Sequence, residues 1–445
     1  MNTNKALRTL SAVLLLAGLQ VAHAALPIQK FALPNGAQVW LAESPGLPMV
    51  DVQIDFDAGG RRDPADKAGL AAVTAGMAGK GVTAGNGQSA LDENQLGEAW
   101  ADLGASFGAG AGGDQFSYSL RSLTDPDLLA RAAQLAARQI GQPSFPDAIW
   151  QRERQRLGAS IREANTRPGT VAGRAYSQAV YGSHPYGYEM TEATLARIAV
   201  ADMQALHTAL IAPCRARISI VGAQDRAQAD ALATTLLSRL PQGPTCAPLP
   251  AVPEVAALTE AKAIKLPFAS AQAHVFIGQP GFKRDDPDYF ALLVGNYILG
   301  GGGFVSRLTH EVREKRGLSY SVYSYFSPGL HAGAFTIGLQ TRPDQAAQAV
   351  MVAREVLADF VANGPTTAEL TAAKANLIGG FALRIDSNRK LLGNVANIAA
   401  NGLPLDYLDT WTQQIDKVTV AAIKAAFARK LQPDRLVTVV VGGAE

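Results

Sequence analysis

Few residues in this chain combine a reactive type with a telling spacing, and the densest group is Glu311-Val312-Arg313-Glu314-Lys315-Arg316-Gly317-Leu318-Ser319-Tyr320. Arg313 is a permanently charged fork of donors, and Tyr320, seven residues on, carries a phenolic donor. Just before them, Leu299-Gly300-Gly301-Gly302-Gly303-Phe304 is rich in glycine, but no GK[ST] follows and the spacing is not that of a dinucleotide fold. His310-Glu311-Val312-Arg313-Glu314 looks superficially like H-E-x-x-H with glutamate in last place. His184, in Gly182-Ser183-His184-Pro185-Tyr186-Gly187, reads as a loop residue, while His207, His274 and His331 have no partner close in sequence, so no metal cluster is visible. There is neither a G-x-S-x-G elbow nor a cysteine–histidine pairing, which argues against a non-metal hydrolase.

These residues need elements to hold them. The pattern predicts a helix from near Ser306 that ends at Arg313, a turn at Gly317 and a strand from Leu318 to Tyr325. On that strand Tyr320 would share a face with Leu318 and Val322 and point its hydroxyl from a packed surface into a cavity. The plainer reading keeps Arg313 as a solvated helix-end cation and Tyr320 as a core aromatic. Likewise, the glycines would either let the backbone approach an extended peptide or form a simple turn before the helix.

The larger frame is a duplication. At an offset of 220, Ile198–Ala223 superposes on Val418–Gly443 without a gap, with identities such as Pro213/Pro433, Arg215/Arg435 and Gly222/Gly442. Each copy reads as an amphipathic helix, a Pro-containing turn and a β-rich strand, Ile218–Gly222 and Val437–Val441. Thr124-Asp125-Pro126-Asp127 matches Thr341-Arg342-Pro343-Asp344, and Arg61-Arg62-Asp63-Pro64 matches Arg284-Asp285-Asp286-Pro287. Three matches in order at nearly one offset argue for two homologous halves. The expected fold class is α+β, each half a mainly antiparallel sheet with helices packed on one face. The domains run from 25 to 245 and from 255 to 445, joined by the Pro-rich stretch Pro241–Pro253.

Residues 1–24 read as a cleaved secretory signal: Lys5 and Arg8, an apolar run from Leu10 to about Val21, then Ala22-His23-Ala24. No cysteine follows it, so neither a lipid anchor nor a membrane anchor of another kind is expected, and the compartment would be the periplasm. With 48% hydrophobic residues, 18% charged and a formal net charge of +2, nothing suggests a nucleic-acid partner. In an oxidising compartment Cys214 and Cys246 would either pair or remain two thiols; spacing alone cannot test the geometry.

The context Arg313-Glu314-Lys315-Arg316-Gly317-Leu318-Ser319-Tyr320-Ser321 resembles the R-x6-Y motif of the pitrilysin-type peptidases, the inverzincins, and the resemblance extends over essentially the whole chain after residue 24. In that family an H-x-x-E-H helix supplies two imidazoles to zinc and a carboxylate to activate water. The matching segment here, Gly69-Leu70-Ala71-Ala72-Val73-Thr74-Ala75-Gly76-Met77, has Ala72, Ala75 and Gly76 at those positions. A further family ligand lies on a later helix of pattern E-R-x-x-V-x-x-E-I. Glu153-Arg154-Gln155-Arg156-Leu157-Gly158-Ala159-Ser160-Ile161 matches it with Ser160 at the ligand position. All four zinc positions are thus degenerate, and this chain is expected to bind no metal and to have no catalytic residue in isolation.

The resemblance implies a clamshell of two halves around a peptide cavity. It also implies substrate contacts in trans from Arg313, Tyr320 and Gly300, Gly301, Gly302 and Gly303, next to a zinc held by a homologous H-x-x-E-H subunit. The expected function is that of the non-catalytic subunit of a heterodimeric zinc metallopeptidase acting on a peptide substrate. The alternative is a structural or peptide-binding pseudo-peptidase with no part in hydrolysis.

Overall fold

In a computed structural model of the protein, residues 27–243 and 246–443 are described; the expected signal, Met1 to Ala24, lies outside them. The first half builds a six-stranded sheet in the order β1-β2-β8-β3-β7-β6. Its strands are β1 (Ile28–Ala32), β2 (Gln38–Glu43), β3 (Met49–Phe56), β6 (Ser106–Ala111), β7 (Phe116–Leu123) and β8 (Arg217–Gly222). A short ladder of β4 (Gly81–Val82) and β5 (Leu91–Asp92) stands apart from it. The second half forms a five-stranded sheet, β11-β12-β10-β13-β9, from β9 (Lys262–Leu266), β10 (Ala273–Phe282), β11 (Val322–Phe326), β12 (Gly333–Thr341) and β13 (Val437–Val441). Each sheet has one parallel pair, β2 with β8 and β9 with β13, among antiparallel neighbours. The duplication is therefore visible in strand order as well as in sequence.

Four helices frame the degenerate zinc positions and join the two halves: α1 (Leu70–Met77), α2 (Asp147–Ala164), α3 (Pro168–Tyr181) and α4 (Asn388–Asn401). The bounds of α3 plus 220 are those of α4, so the two are counterparts. Alternation along the strands divides each sheet into two buried faces. In the first sheet Val39, Leu41, Val52 and Ile54 join the core under that half's own helices, the packing expected from sequence. The opposite face is covered from the other half: Trp40, Ala42 and Val221 cluster with Leu391, Leu392 and Val395 of α4. Reciprocally, α3 lays Ala172, Tyr176 and Val180 on Val437, Val439 and Val441 of β13. Tyr176 Oη donates to the carbonyl of Phe335 at 2.7 Å and lies 2.9 Å from Thr336 Oγ1. Gly278, beside them on β10, has no room for a Cβ, which would stand 2.1 Å from that hydroxyl. The halves are thus joined by an exchange of equivalent helices.

Cys214 and Cys246 form a disulfide with Cα atoms 5.8 Å apart, tying the end of the first half to the connecting stretch.

Candidate functional site

Helix α1 is set by its entry. Asp63 accepts the N–H groups of Gly69 at 2.9 Å and Ala71 at 3.0 Å, satisfying two donors that a helix start would otherwise leave free. Burial pushes the Asp63 carboxyl up to about 6, against the lowering effect of those backbone donors. The exposed face of α1, Ala72 and Gly76, opens onto a cavity of about 300 Å³ that Glu153 and Arg156 of α2 and Lys80 also line. Ala75 is buried under α1, and Ser160 is exposed on α2 outside the cavity wall. The three positions matched to zinc ligands, Ala72, Gly76 and Ser160, and the one matched to the water-activating carboxylate, Ala75, therefore do not line one common cavity.

An ion-pair cluster borders that cavity through Lys80, Glu153 and Arg156. Lys80 Nζ lies 3.2 Å from Glu93 and 3.6 Å from Glu153. Arg152 bridges the same two carboxylates at 2.8 and 3.1 Å, and Arg156 Nε donates to Glu153 at 2.7 Å. The hydrogen bond from Arg156 holds Glu153 below the usual carboxylate range, and the Arg152 fork pulls Glu93 down to about 2. A zinc ion does not fit this set: Ala72 and Gly76 supply no side-chain donor, and the one carboxylate in the wall is already paired with three cations.

The second-half motif is arranged otherwise. The helix expected from near Ser306 to Arg313 is present as a continuous helical run over 307–314, preceded by a 3₁₀ turn, Gly303–Val305, and wound as a π-helix over Thr309–Glu314. Its end is closed at Gly317, φ 60°, by Gly317 N–H to Arg313 O at 2.8 Å and Leu318 N–H to Val312 O at 2.9 Å. This corrects the strand assignment: β11 begins at Val322, and Tyr320 sits in a bend before it. Leu318 N–H is spent on the helix end, and Ser319 Oγ lies within hydrogen-bond distance of the Ser321 and Gln340 carbonyls, 2.6 and 2.7 Å away, with one proton to give to either, so the segment stays out of the ladder. Tyr320 consequently does not share a face with Leu318 and Val322. They are buried, whereas Tyr320 is 82% exposed.

Arg313 and Tyr320 nevertheless meet. The guanidinium carbon lies 4.6 Å from the Tyr320 ring centroid and 4.8 Å from that of Phe304, a cation between two aromatic rings. Arg313 has no carboxylate partner among the described residues, although acidic and basic neighbours on the same turn pair with each other: Lys315 and Arg316 both hold Glu311 at 2.7 Å. His310 is likewise engaged, its Nδ1 2.9 Å from Glu314. The neighbouring glycines divide in role. Gly300 is buried with a Cβ position 2.5 Å from Ser324 N of β11, so close packing inside the chain occupies it and it is not open to a peptide. Gly303 has φ 62°, which turns the chain into the exposed Phe304 and Val305.

Sequence reasoning passed over three features of these sites. Phe304 followed a glycine run that drew attention to itself; Lys80 stands four residues after Gly76 and gains meaning only beside Glu153. Third is the glycine-rich segment 104–113, which forms β6, the outer strand of the first sheet, paired only with β7 among the described residues. Gly108 and Gly110 on it have open space at their Cβ positions.

With this geometry in place, comparison with known proteins is informative. The sequence profile described as "Peptidase M16 inactive domain" matches residues 197–377. A crystal structure titled as a peptidase M16 inactive domain from Pseudomonas fluorescens is 35% identical, with a TM-score of 0.88, covering 94% of this chain and 98% of that one. An uncharacterized zinc protease of Mycobacterium leprae is 28% identical over 92% of this chain and 90% of its own length. A non-peptidase homolog of Helicobacter pylori is 36% identical, but over only 34% of this chain and 35% of its own. The fold, the profile and the well-covered relative agree with the motifs, and the chain belongs to the M16 peptidase family as a peptidase-like member whose zinc-ligand positions are filled by alanine, glycine and serine.

Proposed function

We propose that this chain is the non-catalytic subunit of a heterodimeric zinc metallopeptidase and contributes Arg313 and Tyr320 to peptide bound at a partner's zinc. The single observation that carries the reading is the ledge formed by Phe304, Arg313 and Tyr320, where a guanidinium is held by ring faces, without a carboxylate among the described residues, and beside an 82%-exposed tyrosine. A cation needed only for the fold gains more from a carboxylate than from two exposed rings. Held in this way, its N–H donors stay free for a carbonyl oxygen that gains charge during hydrolysis. Gly301, Gly302 and Gly303 lead the chain into Phe304 of the ledge. The partner would be a homologous H-x-x-E-H chain carrying the zinc, this chain would bind none, and both would work in the periplasm, having been exported by a signal such as Met1 to Ala24.

The test is hydrolysis by the reconstituted pair. Arg313→Ala and Tyr320→Phe should each lower kcat/KM by about 10²-fold while assembly and the partner's zinc content stay unchanged, because the lost donor would have met charge in the transition state. If both variant complexes turn over within about twofold of the parent, the pair has no part in hydrolysis and the chain is a structural or peptide-binding subunit.

A further inference from the structure

The duplication allows one buried arginine to be compared with its counterpart. Arg61 and Arg284 occupy equivalent places in the matching segments Arg61–Pro64 and Arg284–Pro287. Arg61 is neutralised twice, by Asp57 at 2.5 Å and by Asp114 at 3.0 Å. At the same offset of 223 these carboxylates are replaced in the second half by Pro280 and Ile337, neither of which can carry a negative charge. Arg284 is only 7% exposed and has no carboxylate partner among the described residues. Its Nη2 donates to Tyr407 Oη at 2.6 Å, and its guanidinium carbon lies 3.7 Å from the Tyr289 ring centroid. A buried cation without a counter-ion is costly unless something supplies the charge.

Arg284 lines a cavity of about 560 Å³, together with Tyr289, Arg384, Lys390, Tyr407 and Trp411, and no aspartate or glutamate contributes to its wall. Arg384 lies with its guanidinium carbon 5.1 Å from the Trp411 ring centroid and has no carboxylate partner among the described residues. Lys390 is partly spent, its Nζ donating to Asp386 at 3.0 Å and to the Leu383 carbonyl at 2.8 Å. Two guanidinium forks backed by aromatic faces suit a flat anion joined to an apolar group.

We propose that this cavity is a binding subsite for a carboxylate borne by an aromatic or apolar residue, as at the free C-terminus of a peptide. It uses none of the ledge residues and stands whether or not the chain acts beside a zinc subunit. The missing Asp57 and Asp114 equivalents are then the feature that leaves Arg284 to the ligand.

Calorimetric titration of the full chain at low salt tests this, with N-acetyl-alanyl-phenylalanine, its C-terminal amide, and N-acetyl-glutamyl-phenylalaninamide as probes. The free acid should bind saturably at one site and the simple amide about tenfold or more weaker, since a charge-assisted pair is lost. The glutamyl amide tells a side-chain carboxylate from a terminal one: binding equal to that of the acid would overturn the C-terminal assignment. Arg384→Ala, an exposed change that spares the core, should weaken the acid about tenfold, and Arg284→Met should abolish its binding. Equal binding of acid and amide, an unaffected Arg384→Ala variant, or inorganic phosphate binding as tightly as the acid would each overturn the proposal.

Discussion

The two halves treat their charges in opposite ways. Around the former zinc positions of the first half, Lys80, Glu93, Arg152, Glu153 and Arg156 satisfy one another. On the second-half ledge Arg313 is held only by aromatic faces. With no ligand side chain at Ala72 or Gly76, the neighbouring space is bordered by a compact salt-bridge cluster. The contrast is between charges neutralised inside the chain and a guanidinium left with free donors, which is what a ligand-binding role would require.

Breaking the first half's internal ties should cost stability, and the largest effect should come from the disulfide. Cys214 and Cys246 are separated by 32 residues, and the second half has aspartate, Asp434, at the position equivalent to Cys214. Replacing both by serine is expected to lower unfolding free energy by about 3–4 kcal/mol on the chain-entropy model, measured by denaturant titration. A loss below about 1 kcal/mol would mean that the unfolded chain is not constrained by this loop.

The next effect depends on pH. Asp63 meets only backbone donors, whereas its counterpart Asp286 forms an ion pair with Lys430. Because burial raises Asp63 from 3.8 to about 6, the folded state holds its proton more tightly than the unfolded state. Its contribution therefore favours folding below about pH 4 and is lost as pH rises through about 6, a change of about 2–3 kcal/mol. Asp63→Asn retains an oxygen to cap α1 and should remove this part of the pH dependence. Parallel unfolding curves of parent and variant from pH 4 to 7, differing by a constant amount, would count against it.

Glu153→Ala comes third. It leaves Lys80, Arg152 and Arg156 facing one another, but both arginines are more than half exposed, and solvent screens the repulsion to an expected cost of about 2 kcal/mol. Thermal unfolding of the variant measures it. Recovery on changing Lys80 to Met in the same chain would show that the cost is one of unpaired charge.

Much of this architecture was legible in the sequence because its signals are local or repeated. The offset of 220 that aligns Pro213 with Pro433 also carries β8 onto β13 and α3 onto α4. The expectation of helices on one sheet face did not include the second buried face of Val437-Thr438-Val439-Val440-Val441, which the exchange of α3 and α4 explains. Tyr320 was misplaced because alternation over Leu318–Val322 imitates a strand, while a hydrogen bond from Leu318 back to Val312 keeps that segment with the helix end. The pairing of Lys80 with Glu153 was hidden for a different reason: 73 positions separate them, and no periodic pattern links two charges across α1 and α2.

The smallest effect sharpens the comparison most. Arg313, half-buried, and Tyr320, 82% exposed, make no ion pair among the described residues, so the main interaction lost on truncating either is a surface cation–π contact, worth about 0.5–1 kcal/mol. Arg313→Ala should accordingly shift the denaturation midpoint of the chain alone much less than Glu153→Ala does, even though the ledge change is the one expected to impair the complex. Unfolding followed by tryptophan fluorescence measures both variants under one set of conditions. A loss above about 2 kcal/mol for Arg313→Ala would place that residue among the groups that hold the fold, since such a cost is beyond an exposed ring contact and requires a packed or paired side chain. A small loss together with an intact partner complex would leave binding as the reason a free guanidinium stands between Phe304 and Tyr320.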